Sequence, residues 1–279
     1  MSYTRGSSTT PRDRARAYRS AHPPRRRRPT GVVVALPWLL LAATLAAQIA
    51  YPLVDGDRLR QVTVAVVVLA ATTCVLHALV HRGPAWTLGM FVLTAGGGLA
   101  VEAVGVRTGL PFGDYSYSAT LGPQVLGVPV VVPLAWTMMA YPVLLAARRL
   151  TRHWVPVVGA FGLAAWDVFL DPQMVADGRW SWADPTPSLP GVPGVPLTNY
   201  AGWLAAGFVL MLLLTALLPR DGYPGADESV PAALLVWTWA GYILGNMLWF
   251  GQPSTALVGG VLLGVLVVPY AWTLWQSRP

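Results

Sequence analysis

The fold class this sequence predicts is an all-α polytopic membrane protein of about eight transmembrane helices, two pairs of which form related helix-loop-helix hairpins. Composition is the first reason. The 279 residues are 54% hydrophobic and 11% charged, with a mean hydropathy of +0.52, whereas soluble domains carry roughly 25% charged residues. Spacing is the second. Apolar stretches able to cross a hydrocarbon core of about 30 Å fall at roughly 31–51, 61–80, 86–106, 128–147, 152–171, 197–218, 230–250 and 255–275. Arginine placement is the third. With the N-terminus inside, nine tail arginines plus Arg82, Arg148, Arg149, Arg152, Arg220 and Arg278 put fifteen on the inner side, against Arg58, Arg60, Arg107 and Arg179 outside. Cytoplasmic loops carry such an excess, so both termini are expected in the cytoplasm of a multi-pass protein of the cytoplasmic membrane.

Residues 1–30 form an arginine-rich tail that ends in Arg25-Arg26-Arg27-Arg28. It has too little apolar content to bury a core and reads as a disordered cytoplasmic segment that sets topology and meets anionic headgroups. Residues 31–279 form one transmembrane helical domain. The formal charge of +7 does not mark a nucleic-acid binder, because nine tail arginines less Asp13 already give +8, and ten arginines then face eleven carboxylates in the body. The first apolar run, 31–50, is longer than the h-region of a cleaved signal and is a full span.

Cys74 is the single cysteine, which excludes an internal disulfide, and no His and Cys cluster has metal-site spacing. His77 and His81 share a helix face at i, i+4 but lack a third ligand, so they read as interfacial histidines. Gly96-Gly97-Gly98, in the third span, is either a flexible point or a surface for close helix packing, and would leave a slot for a flat, rigid chain. The connections at 107–127 and 172–196 are long, rich in Gly, Pro and aromatic residues, and face outward, whereas the inner connection at 148–152 is short and basic. Long loops with their own aromatic content are usually functional.

Those two loops match. Glu102 is followed eleven residues later by Gly113-Asp114-Tyr115-Ser116-Tyr117, and Asp167 eleven residues later by Gly178-Arg179-Trp180-Ser181-Trp182. Gly127-Val128-Pro129 precedes Trp136 by the same nine residues that separate Gly194-Val195-Pro196 from Trp203. The third and fourth spans, and the fifth and sixth, are thus expected to be parallel copies of one hairpin. Carboxylates inside spans are rare and face internal cavities. Glu102 and Asp167 lie at similar depth near the outer side, and Asp171 shares a face with Asp167 if the helix persists, although Pro172 disfavours helical geometry there. Neighbouring buried carboxyls divide into one protonated acid and one ionised base, an acid–base site without a metal. The alternatives are that these acids pair with Arg107 or cap helix ends, and that the tryptophans and tyrosines form an interfacial belt.

The stretch from Glu102 through Gly105, Thr108-Gly109, Pro111-Phe112-Gly113, Tyr115 and Tyr117 resembles the signature of the membrane-bound carotenoid hydratases, which act on C50 carotenoids and related carotenes. So does Trp166-Asp167 through Asp171-Pro172, Gly178, Trp180-Ser181-Trp182, Asn199, Gly202 and Trp203. The similarity covers roughly 86–275 and leaves out the tail. It implies addition of water to a terminal double bond of an acyclic carotenoid, with no cofactor. The partners it implies are a carotenoid, membrane lipid and other membrane enzymes of the pathway. On this reading Glu102, Asp167 and Asp171 supply acid and base, with loop residue Asp114 the weakest candidate, and loss of the Asp171 carboxyl is the milder change if Asp171 mainly tunes Asp167. Tyr115, Tyr117, Trp136, Trp166, Trp180, Trp182, Asn199 and Trp203 form the substrate wall, since aromatic faces stabilise a carbocation. A lycopene-type cyclase, which needs a drier pocket, and a non-enzymatic carotenoid-binding or transport protein remain the rival readings.

Overall fold

The computed structural model describes residues 31–222 and 226–277; the arginine tail and Arg278 lie outside the described residues. Among the described residues, eight helices are long and apolar enough to span a membrane: α1 (Val32–Leu53), α2 (Gly56–Arg82), α3 (Pro84–Thr108), α4 (Val131–Leu150), α5 (Val155–Ala176), α6 (Leu197–Leu217), α7 (Ser229–Leu248) and α8 (Pro253–Gln276). Each overlies one of the predicted stretches. α2 begins ahead of its apolar run because Asp57 sits in its first turn, where the helix dipole favours a negative charge. α5 runs past the expected end at Asp171 and carries Pro172 inside it. Proline removes a single helical donor, and α6 and α8, both packed on α5, hold the turn in place.

α4 is the central helix, with 89% of its apolar window buried, and α1 the peripheral one, with 17%. Small residues bring neighbours close. A Cβ on Gly207 of α6 would lie 3.2 Å from the Ala160 Cα of α5, the close approach expected of small residues between membrane helices. α3 contains a π-turn at Val92–Gly96, which re-phases the helix ahead of Glu102; Thr94 there bonds Thr137 of α4 at 2.8 Å in the buried interior.

The two long loops carry short strands: β1 (Tyr115–Tyr117), β2 (Gln124–Val125), β3 (Val128–Pro129), β4 (Trp180–Trp182), β5 (Ser188–Leu189) and β6 (Val192–Pro196). β2 pairs with β3 and β5 with β6, so each loop folds into a hairpin just before its second helix. The repeated motifs pair with each other. β1 lies antiparallel to β4 with Tyr115 opposite Trp182, Ser116 opposite Ser181 and Tyr117 opposite Trp180. Beyond the strand ends, Ser118 N donates to Arg179 O at 2.8 Å and Ala183 N to Asp114 O at 2.9 Å. Those two bonds are equivalents of each other in the repeat, which places a local two-fold axis through the Ser116–Ser181 pair.

At the opposite end of the bundle the arginines expected on the inner side form a network. Buried Arg148 donates to Leu214 O, Leu218 O and Pro219 O at 3.0, 2.9 and 3.1 Å, satisfying carbonyls that the end of α6 leaves open. Arg220 donates in turn to Arg148 O, and Glu228 sits 3.5 Å from Arg82 and 3.8 Å from Arg149. The histidines expected at the interface are instead buried here. His77 Nδ1 is 2.8 Å from Tyr141 Oη, its ring stacks on His81 at 4.3 Å, and His81 Nδ1 accepts from Asp227 N at 3.2 Å.

Candidate active site

Glu102 lies on the inner face of α3 and is 4% exposed. Two glycines on that face, four residues before it and three after, decide what reaches it. A Cβ on Gly98 would fall 2.6 Å from Trp136 Cγ, and one on Gly105 would fall 2.7 Å from Tyr115 Oη. Only hydrogen atoms at both positions let an indole from α4 and a phenol from β1 close on the carboxyl. Trp136 Nε1 donates to Glu102 Oε1 at 3.0 Å, and Tyr115 and Tyr117 donate to Oε2 at 2.5 and 2.8 Å. Of the two readings of Gly96-Gly97-Gly98, close packing holds at Gly98, while Gly96 and Gly97 meet nothing within 4 Å.

Strand geometry supplies the aromatic wall. Alternate residues of a strand share a face, so Tyr115 and Tyr117 of β1 and Trp180 and Trp182 of β4 point inward while Ser116 and Ser181 are exposed. The cross-strand pairs Tyr115–Trp182 and Tyr117–Trp180 have ring centroids 5.8 and 5.6 Å apart. Burial first, and the adjacent Glu102 charge second, push both phenols above the ordinary tyrosine range. They remain neutral donors at any physiological pH.

The second acidic group stands across from Glu102. Asp167 and Asp171, one turn apart on α5, are 0% and 4% exposed. Asn199 of α6 bridges them, its Nδ2 donating to Asp167 Oδ2 at 2.8 Å and Asp171 Oδ2 at 2.5 Å. Trp180 Nε1 donates to Asp171 Oδ1 at 3.1 Å, and Asp167 Oδ1 is buried without a partner among the described residues. The equivalent tryptophans of the repeat meet between the two groups: Trp136 and Trp203 stack at 4.3 Å with planes 10° apart, and Trp166 meets Trp203 edge-on at 5.9 Å. Symmetry ends at the acids, since Trp136 bonds Glu102 whereas Asn199, not Trp203, bonds Asp167.

A cavity of about 50 Å³ lies among these groups, and Glu102, Asp171, Asn199 and all seven aromatic residues expected to form the wall line it. Asp167 is behind Asp171, one layer further from the cavity. The helix continues through Pro172 and presents Asp171 to the cavity rather than Asp167. Asp114 does not join the cluster; its side chain is exposed and only its backbone takes part, in the β1–β4 pairing. Alternation along β1 turns it outward. Arg107 is exposed as well, and among the described residues the ion pairs involve Asp57 and Glu228, none of the three buried acids. Nor, among the described residues, do any three His, Cys, Asp or Glu side chains stand in a metal-holding arrangement.

A second cavity of about 320 Å³, mostly apolar, adjoins the first and shares Val132, Ala135, Leu170 and Trp180 with it. Further α4 and α5 residues line it, and its other walls come from α1, α2 and α7, helices to which sequence reasoning assigns no functional role. Their lining residues, such as Ala70 and Leu234, are indistinguishable in sequence from lipid-facing ones. Tyr200, whose buried Oη has no partner among the described residues, is likewise not singled out by the sequence; its one signal is its place beside Asn199.

The fold and site thus define a polytopic membrane protein with an enclosed acid–aromatic centre beside an apolar cavity. The chain belongs to the carotenoid biosynthesis protein family, whose model matches residues 62–276. It is 34% identical over 175 residues to the bisanhydrobacterioruberin hydratase of Haloarcula japonica, an alignment covering 58% of this chain and 58% of that protein. The chain therefore aligns with little more than half the length of that relative. No solved structure matches.

Proposed function

We propose that this protein adds water to a terminal carbon–carbon double bond of an acyclic carotenoid, giving a tertiary alcohol without a cofactor. The observation that carries this reading is the pairing of cavities. An apolar one of about 320 Å³ adjoins an acid-lined one of about 50 Å³, which has room for one or two waters, each taking roughly 30 Å³ in the liquid. A polyene end group in the first would meet acid and water at the shared wall.

Asp167 and Asp171 share the Asn199 amide in a buried site, and such a pair holds a proton between its members because like charges in contact do not both ionise. Asp171, which faces the cavity, gives that proton to the less substituted alkene carbon. The π electrons form the new C–H bond and leave a tertiary carbocation. Tyr117 and Trp180 present ring faces and edges at this point, and their faces stabilise positive charge. Water donates a lone pair to the cation, forming the C–O bond, and Glu102 accepts the released proton. Passage of that proton back across the cavity to the aspartates restores the site, and the net change is one water added.

A cyclase would begin with the same protonation and quench the cation with an internal alkene. A water-sized cavity with Glu102, Asp171 and Asn199 on its wall favours hydration over that reading. Arginine distribution supports a cytoplasmic-membrane location with both termini inside and the acid cluster near the outer face. Expression in a host that accumulates lycopene or bisanhydrobacterioruberin tests the reaction. Pigments heavier by one water per modified end are expected; an isomeric pigment would point to cyclisation, and an unchanged profile with both substrates would refute the enzymatic reading.

A further inference from the structure

The family-matched region begins at residue 62, yet Gln48, Ile49, Tyr51, Pro52 and Leu53, at the end of α1, line the apolar cavity. α1 is the least buried of the eight helices and packs chiefly on α2 and α7. Its end is held at Tyr51, which donates to Asp177 Oδ2 at 2.5 Å and meets Phe250 edge-on at 5.9 Å. Ile49 and Leu53 on one side, and Leu244 and Trp249 on the other, line the cavity while being 55%, 69%, 54% and 53% exposed. Residues that face both a cavity and the outer surface of a spanning bundle form a rim that opens sideways into hydrocarbon.

We propose that the end of α1 is the chain-selecting wall of a lateral channel, through which a long, rigid polyene enters between α1 and α7 and along which its chain lies while the end group reaches the acids. The identity of the occupant rests on the hydration reading above; the channel rests on the cavity. Three features fit this occupant. A lining that is mostly apolar suits a hydrocarbon chain. Continuity at Val132, Ala135, Leu170 and Trp180 aims the chain's tip at Asp171. The sideways rim lets a chain longer than the cavity continue into lipid, and the Tyr51–Asp177 bond closes over it at the loop end of the bundle.

The test separates the channel from the chemistry. In full-length protein carrying Asp171→Asn, Cys74→Ala and Gln48→Cys, bound lycopene should slow alkylation of the new thiol by a small apolar maleimide about tenfold or more. A Val209→Cys control, on the exposed face of α6, should be unaffected. Equal rates with and without lycopene at position 48 would overturn the proposal. In otherwise native protein, Ile49→Trp should lower conversion of lycopene about tenfold or more, equivalent to about 1.4 kcal/mol or more. A ten-carbon acyclic isoprenoid alkene, which carries the end group without the long chain that would lie against α1, should be converted as in wild type. Equal losses for both substrates would also overturn it. Protection of the thiol at position 48 in a protein that hydrates neither substrate would retain the channel and reject the hydration reading.

Discussion

Replacing Glu102 by Gln and by Leu separates its chemistry from its structural role. Glu102 accepts from one indole and two phenols. Trp136 Nε1 can only donate, so the glutamine carbonyl must turn toward it, and the amide nitrogen then faces Tyr115 and Tyr117. Phenols also accept, so both can rotate and take the two N–H groups; Tyr115 keeps the Glu102 carbonyl oxygen at 3.4 Å as an acceptor, and the Tyr117 hydroxyl hydrogen alone is displaced. Each bond weakens as it loses a charged partner, but the buried charge is removed as well, and the two effects offset one another. Leucine removes the carboxylate acceptor of all three donors, at about 1–3 kcal/mol each. The total, about 3–9 kcal/mol, is comparable to the whole stability of an ordinary domain. Glu102→Gln should therefore accumulate in the membrane near wild-type level while hydration falls about 10²–10⁴-fold through loss of the base. Glu102→Leu should fail to accumulate. Immunoblots of membranes and mass analysis of pigments from a carotene-accumulating host measure both. Wild-type conversion by Glu102→Gln would refute the role as base, and normal abundance of Glu102→Leu would refute the three-donor shell.

The exposed order of the aspartates predicts that Asp171→Asn lowers hydration about 10²–10⁴-fold and Asp167→Asn less, with pigment analysis as the measure; the opposite order would place the acid at Asp167. Gly98→Ala puts a methyl 2.6 Å from Trp136 Cγ and should cost about 1–3 kcal/mol of stability, read as a lower melting temperature in detergent, with hydration reduced as the indole leaves Glu102. On a Cys74→Ala background, a membrane-impermeant thiol reagent should label Ser116→Cys and Ser181→Cys in intact cells but not Arg152→Cys. All three positions are exposed, so the reverse pattern would invert the topology.

The sequence by itself determined the spans, the repeat and the buried acids. Crossing a membrane requires a run of apolar residues of fixed length, so α1 to α8 are legible one by one. A charge inside such a run stands out because hydrocarbon excludes it, and Glu102, Asp167 and Asp171 are conspicuous in the bare sequence for that reason. The i, i+4 spacing of the aspartates and the matched Gly-x-aromatic-Ser-aromatic motifs are local and carry over directly.

Only the tertiary structure decided what the repeat is for. Motifs 65 residues apart pair as β1 and β4, and no local pattern distinguishes that from two separate loops in water. Asp114 falls outside the cluster and Asp171 comes ahead of Asp167 because strand alternation and helix phase act on elements whose placement is set by packing. The pair of glycines flanking Glu102 acquires meaning only once Trp136 and Tyr115 stand against them. The apolar cavity is invisible in the sequence for a related reason. A helix immersed in lipid is apolar on every side, so Ile49, Ala70 and Leu234 carry no periodic signal of whether they meet lipid, a neighbouring helix or an enclosed chain, and the difference resides in how eight such helices pack.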